Sequence, residues 1–288
     1  MDLKKIFDEI EKVDPEVYSK LDSRRGILKS FGSKVAVAAL PIALGSMFKK
    51  AYGKTSDTVV DVLNFALTLE YLEYNFYHQG NNTATLMIPT TDQPSFQTIE
   101  GHELEHVNFL ISTITSLGGT PYTPSHYTAG NPYSPLTYDF TAGGTFPTVF
   151  TNYATFLDVS QTFEDTGVRA YKGQASALQT NLDVLTAALQ IHSVEARHAS
   201  HIRYIRRLSG ATDTNSLVPK PWITGGVAPA NAVAANYAGE DNTVQLSVNI
   251  LTLPAASGTT STNTATEAFD EPLTMSEVVT LVTPFLVS

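Results

Sequence analysis

Cysteine is absent from all 288 residues. Disulfides, thiolate-bound zinc, iron–sulfur clusters, thiol nucleophiles and Cys-x-x-Cys redox chemistry are thereby excluded, and any metal must be held by His, Glu and Asp. Basic residues are scarce beyond position 54: 7 of the 18 Lys and Arg lie there, against 21 of the 28 Asp and Glu. The first 54 residues carry 11 basic and 7 acidic residues, so the formal charge of −10 conceals a body of −14. Such a body lacks the basic footprint that nucleic acid requires and suits cations as partners. A long hydrophobic run is missing as well. The apolar-rich stretch from Val35 to Phe48 has 14 residues and contains Pro41 and Gly45, short of the ~20 that span a bilayer. With 42% hydrophobic residues, the chain is globular and long enough for one large domain or two small ones.

The run Ser23-Arg24-Arg25-Gly26-Ile27-Leu28-Lys29 precedes this stretch, which Lys34 and Lys49-Lys50 bound. The pattern resembles a twin-arginine export signal, which a translocase for folded proteins reads. It implies a leader over residues 1–54, cleavage between Gly45 and Ser56, an export translocase as partner, and a periplasmic or extracellular location. A basic amphipathic lead-in to a core helix is the alternative.

Beyond the leader the periodicity is helical. Ser56 or Thr58 can cap a helix to about Gln79, which Gly80-Asn81-Asn82 should stop; at about 33 Å it suits a bundle. A second helix is predicted from Pro94-Ser95 to Gly118-Gly119, a third from about Thr148 to Leu178 and a fourth from Asn181 to Leu208. Each predicted apolar face contains acids or imidazoles. Glu70 lies among Leu63, Ala66, Leu67, Tyr74 and Tyr77; Glu103 and His106 lie among Ile99, Phe109, Leu110 and Ile114. Glu164 lies among Phe156, Leu157, Val168 and Tyr171, and Glu195 and His198 lie among Val184, Ala188, Ile191, Ile202 and Ile205.

Burying an unpaired carboxylate costs several kcal/mol, so four such positions call for a neutralising partner. Glu103 to His106 and Glu195 to His198 are both Glu-x-x-His, which puts carboxylate and imidazole on one helical face. Glu70 precedes Glu103 by 33 residues and Glu164 precedes Glu195 by 31, and each lone Glu has a Tyr seven residues on, Tyr77 and Tyr171. The chain therefore repeats one helical hairpin twice. Two Glu-x-x-His helices and two single-Glu helices make up the ligand set of dinuclear carboxylate sites in four-helix bundles.

On these motifs, from about Thr58 to Leu208, the chain resembles the ferritin-like superfamily, and within it exported ferritin-like proteins related to plant desiccation-related proteins. A weaker likeness extends to Ala268-Phe269-Asp270-Glu271-Pro272-Leu273-Thr274, which looks like the closing motif of that group. The resemblance implies an all-α fold, a left-handed four-helix bundle over residues 55–209, with a long crossover at residues 119–147 between the second and third helices. It implies metal ligands Glu70, Glu103, His106, Glu164, Glu195 and His198, with Glu103 and Glu195 bridging. Four carboxylates balance two divalent ions, and oxygen donors with imidazole favour Fe or Mn, with zinc an alternative.

Around this set, Glu73 is either a replacement for Glu70 or a solvent-facing acid, and Glu105 faces water. His102, His192 and His201 either orient a ligand or sit at the surface or core edge. Tyr77 and Tyr171 read as core aromatics rather than redox participants, and Asp165 with Arg169 as a surface ion pair. His102-Glu103-Leu104-Glu105-His106 matches the H-E-x-x-H zinc protease motif, but that reading leaves Glu70, Glu164, Glu195 and His198 unexplained.

Residues 210–288 form an extension. Residues 209–240 are irregular, Val244, Leu246, Val248 and Ile250 suggest a short strand, and Ala255 to Thr266 reads as a linker. Thr274-Met-Ser-Glu277 is a capping box for a final helix to about Phe285. The extension either covers the bundle or forms a contact in a homo-oligomer. The chemistry expected is redox chemistry at a dinuclear Fe or Mn centre, with dioxygen or peroxide as partner and no catalytic residue assigned beyond the ligands. The alternative is a structural or stress-protective bundle whose metal is structural or lost.

Overall fold

The computed structural model describes residues 59–128, 130–255 and 258–287. The leader expected over residues 1–54, and the cap expected at Ser56 or Thr58, lie outside them. Four long helices form the body: α1 (Val59–Asn82), α2 (Gln93–Ser116), α3 (Tyr153–Gln174) and α4 (Leu182–Leu208). The main packing is α1 on α2 and α3 on α4, so two helical hairpins make the bundle, as the repeat predicts. Local chemistry sets the ends. Asn152 and Asn181 accept from the amides of Thr155 and Val184 as N-caps, and Pro94 occupies the first turn of α2.

The ends of α1 and α3 differ from those read off the sequence. Gly80-Asn81-Asn82 does not stop α1, which runs through all three. Gly80 serves a close approach instead, since a Cβ there would lie 2.5 Å from the Phe156 ring. Helix α3 starts at Tyr153 rather than near Thr148, because Thr148 to Asn152 close a turn on the Thr148 carbonyl. The crossover thus occupies residues 117–152, not 119–147.

Helix α1 is buried without a break from Val62 to Tyr77, and α3 from Val159 to Tyr171. A bundle helix normally keeps one wet face; here extended chain covers it. Over α1 lies the crossover, held by two asparagines eleven residues apart. Asn64 donates to Thr120 O and accepts from Tyr122 N, and Asn75 donates to Pro132 O and accepts from Ser134 N. Each amide pairs with backbone as an edge strand would, satisfying groups that burial would otherwise strand.

Over α3 lies the C-terminal extension. Arg169 pairs with Glu240 and donates to the carbonyls of Asn236, Ala238 and Glu271, while Asp165 takes Arg203 and the Tyr237 hydroxyl. Asp165 and Arg169 are therefore not a surface pair: they are 2% and 1% exposed and each binds elsewhere. Spacing on one helix could not reveal that the extension covers this face.

The rest of the extension departs from expectation in detail. The predicted strand is cut by a turn at Leu246 and Ser247, both at positive φ, giving a hairpin of β1 (Val244–Gln245) and β2 (Val248–Asn249) with Leu246 99% exposed. The predicted linker contains a second small pairing, β3 (Pro254–Ala255) with β4 (Gly258–Thr259), and a short helix α5 (Thr262–Thr266). Thr274 and Glu277 form the predicted capping box of α6 (Met275–Val282). The end of the chain returns to the crossover through Asp139 N to Phe285 O and Val287 N to Thr137 O. Among the described residues no helix is long and apolar enough to cross a membrane.

The segment 268–274 lies directly on α3. Leu273 N donates to Arg169 O, and a Cβ at Gly173 would lie 1.9 Å from Leu273 O. Because the obstacle is backbone, Gly173→Ala must lift the segment; a loss of about 1–3 kcal/mol in urea unfolding and faster proteolysis within residues 266–274 are expected. Unchanged stability and cleavage would contradict this contact.

Candidate metal centre

The site is built by helical spacing. On α1 the residues Glu70, Glu73 and Tyr77 share one face, and on α3 Glu164, Gly167 and Tyr171 do, while α2 and α4 each present a Glu-x-x-His. The structure brings all six sequence-proposed residues into one cluster. The four carboxylates Glu70, Glu103, Glu164 and Glu195 are 0% exposed, and His106 and His198 are buried.

Two overlapping groups result, Glu70, Glu103, His106 and Glu195, and Glu103, Glu164, Glu195 and His198, each with its ligand atoms within 4.8 Å of one another. Glu103 and Glu195 belong to both, the arrangement a bridging pair requires. His106 Nδ1 lies 3.1 Å from oxygens of Glu70, Glu103 and Glu195. His198 Nδ1 lies 2.9 Å from Glu103, 3.2 Å from Glu164 and 3.8 Å from Glu195.

The two tyrosines are more than core aromatics. Tyr77 donates to Glu164 and Tyr171 donates to Glu70. A tyrosine seven residues beyond each lone Glu thus holds the other helix's Glu, which requires α1 and α3 to run antiparallel. The exchange expresses the repeat as an approximate twofold relation. Of the three flanking histidines only His102 reaches the cluster: its Nδ1 is 2.9 Å from His198 Nε2, with the rings stacked. His192 faces the Val168 carbonyl and His201 the Ser95 hydroxyl, and Glu105 is exposed. His102 belongs to neither cluster group, so the two histidines of H-E-x-x-H do not converge on one point.

Glu73 does not face solvent. It is 4% exposed, and the charges acting on it are those of Glu195, Glu164, Glu103 and Glu70. Helical position alone put it at the edge of the face, but its carboxylate turns inward against Gly167 of α3.

Electrostatics show what the cluster lacks. Burial pushes Glu70 up to about 8 despite His106 beside it, and burial with neighbouring acids pushes Glu73 well above the carboxylate range. Burial likewise raises Glu164 well up, against the pull of His198. Burial opposes charge on His106 and His198, but the carboxylates around them outweigh it and keep both rings protonated. Burial would also raise Glu195, yet these two rings hold it well below the usual range. Protons thus neutralise an excess of acid. Even so, Glu103 Oε1 and both Glu195 oxygens are buried without a well-aligned hydrogen-bond donor among the described residues. Shared carboxylate oxygens that the histidine nitrogens approach without a well-aligned hydrogen bond, ringed by further nitrogen and oxygen donors, fit bound metal.

A family model described as a ferritin-like domain matches residues 58–207. No curated protein matches the chain significantly.

A carboxyl raised on folding stabilises below its ordinary range and ceases to as pH climbs through the raised value. Glu70 at about 8, Glu240 at about 7 and Asp158 at about 6 all act this way, and the raised histidines act in the same direction. The metal-free protein should therefore lose thermal stability from pH 5 to pH 8, with added divalent ions removing most of the decline by displacing protons. Metal-free stability that rises across this window would contradict the assignment.

Proposed function

The chain belongs to the ferritin-like domain family, whose model spans more than half of it, and from that footing we propose that it is a metalloprotein with a dinuclear Fe or Mn centre doing redox chemistry with dioxygen or peroxide. The observation that carries this reading is the pair of overlapping ligand groups sharing Glu103 and Glu195. Glu70 and His106 would hold one ion, Glu164 and His198 the other, and Glu103 and Glu195 both. These four carboxylates then match the charge of two divalent cations.

The surrounding residues fix this geometry. Tyr171 and Tyr77 each occupy one oxygen of Glu70 and Glu164, leaving the other oxygen beside the imidazole. His102 orients His198 by bonding its second ring nitrogen. Two redox-active ions held by these residues would supply two-electron chemistry toward dioxygen or peroxide. The lining of an apolar cavity includes Leu63, Ala66, Leu110, Ala170, Ala188 and Tyr171, the tyrosine that holds Glu70. Such a lining admits a small apolar molecule such as dioxygen and discourages charged ones.

Export belongs to the same proposal and rests on Arg24-Arg25 and the apolar stretch after them. Kinship with desiccation-related proteins rests on Ala268 to Thr274, the segment seated on α3, and it supplies the alternative of a protective bundle with a structural or lost metal.

Loading with ferrous iron without oxygen, then adding dioxygen or peroxide, should produce an optical change that Glu103→Ala and Glu195→Ala abolish. If both variants behave like the parent, the redox reading fails. Replacing Arg24 and Arg25 by Lys should retain the protein in the cytoplasm; undiminished export would remove the twin-arginine assignment.

A further inference from the structure

The two halves of the repeat differ at one place inside the cluster. At the offset that takes Glu70 to Glu164 and Tyr77 to Tyr171, Glu73 of α1 corresponds to Gly167 of α3. The glycine leaves room that a side chain would close: a Cβ there would lie 3.2 Å from Glu73 Oε1 and 3.7 Å from Glu195 Oε2. A glycine within a helix costs about 0.5–1 kcal/mol relative to alanine, so its place opposite Glu73 calls for a reason, and the reason on hand is space for a fifth carboxylate.

Glu73 is nine-tenths buried, and no hydrogen bond or ion pair reaches its carboxylate among the described residues. Its surroundings are acids, with Glu195 and Glu164 acting on it most strongly. Both belong to the group completed by Glu103 and His198, from whose 4.8 Å span Glu73 itself stands apart, and the Glu195 oxygen facing Gly167 is one of the buried oxygens that lacks a donor among the described residues. A buried acid among acids is stable as a charged group only beside a cation.

We propose that Glu73 is a seventh protein ligand of the dinuclear centre, an oxygen donor to the divalent cation held by Glu103, Glu164, Glu195 and His198. The inference rests on the metal-binding reading above. It makes the two positions unequal. One has Glu70, Glu103, His106 and Glu195; the other has four such residues and Glu73, hence one more negative charge. The position beside His198 fills first and holds its ion more tightly.

Calorimetric titration of the metal-free full chain with manganese(II), and anomalous diffraction from crystals given one equivalent, report the two positions separately. Two binding steps roughly tenfold or more apart in Kd are expected, with the first ion beside His198. Glu73→Gln, nearly the same size, should weaken that position roughly 10–100-fold and leave the other unchanged. It should also raise the thermal stability of the metal-free protein, which separates a lost ligand from a lost fold. Gly167→Ala, which crowds Glu73, should weaken the same position, but not when combined with Glu73→Gln. Two ions bound with affinities that Glu73→Gln does not alter would overturn this inference alone. No manganese binding at all would overturn it together with the dinuclear reading.

Discussion

Carboxylates taken out of water repel one another and lose their hydration, and nothing in an apolar core compensates except protons or cations. Five of them, Glu70, Glu73, Glu103, Glu164 and Glu195, lie in the middle of this bundle with two imidazoles. Without metal the cluster is tolerable because it holds protons, on acids pushed up by burial and on histidines kept charged by the acids. Protons neutralise charge but do not give every oxygen a well-aligned hydrogen bond, and the shared carboxylates Glu103 and Glu195 keep atoms without one among the described residues. Two divalent ions would offset four of the five charges and reach the oxygens that protons leave bare. Folding, charge and the proposed chemistry thus depend on one constraint.

That constraint accounts for the wrapping of the bundle. Helices α1 and α3 carry the lone Glu residues, and both are covered on their outer faces, α1 by the crossover and α3 by the C-terminal extension. The two covers use different chemistry. Asn64 and Asn75 hold the crossover with neutral amide pairs, whereas Arg169 holds the extension through a buried ion pair with Glu240, and Asp165 through the Tyr237 hydroxyl. Breaking a buried ion pair on one side is strongly unfavourable, so the extension is fixed in place rather than draped. Water is kept from the acids from two sides.

Much of this was legible in the sequence because helical spacing is local. Glu-x-x-His can place its two side chains together only on a helix, and the twofold repetition with paired tyrosines marks the hairpins and their six polar core residues. What the sequence could not show depends on which strand of chain lies over which helix. Asp165 and Arg169, four apart, look like a solvated pair until the extension is seen to bury both. Glu73 looks like an edge acid until α3 is seen to pack against it with Gly167. Gly80 reads as a helix stop because its contact with Phe156 comes from another helix. One signal was present and local: aligning the repeat places Glu73 opposite Gly167, which marks the cluster as asymmetric. The tyrosines' exchange of partners needed the antiparallel arrangement of α1 and α3.

The claim beneath all of this is that cations neutralise the core acids in the native protein. Metal analysis by mass spectrometry of the chain purified from its own compartment, without added metal, tests it most directly. Two Fe or Mn ions per chain are expected, lost together in a Glu103→Ala or Glu195→Ala variant. Protein that is metal-free as isolated, takes up no divalent ion when offered it, and keeps its stability in both variants would contradict it.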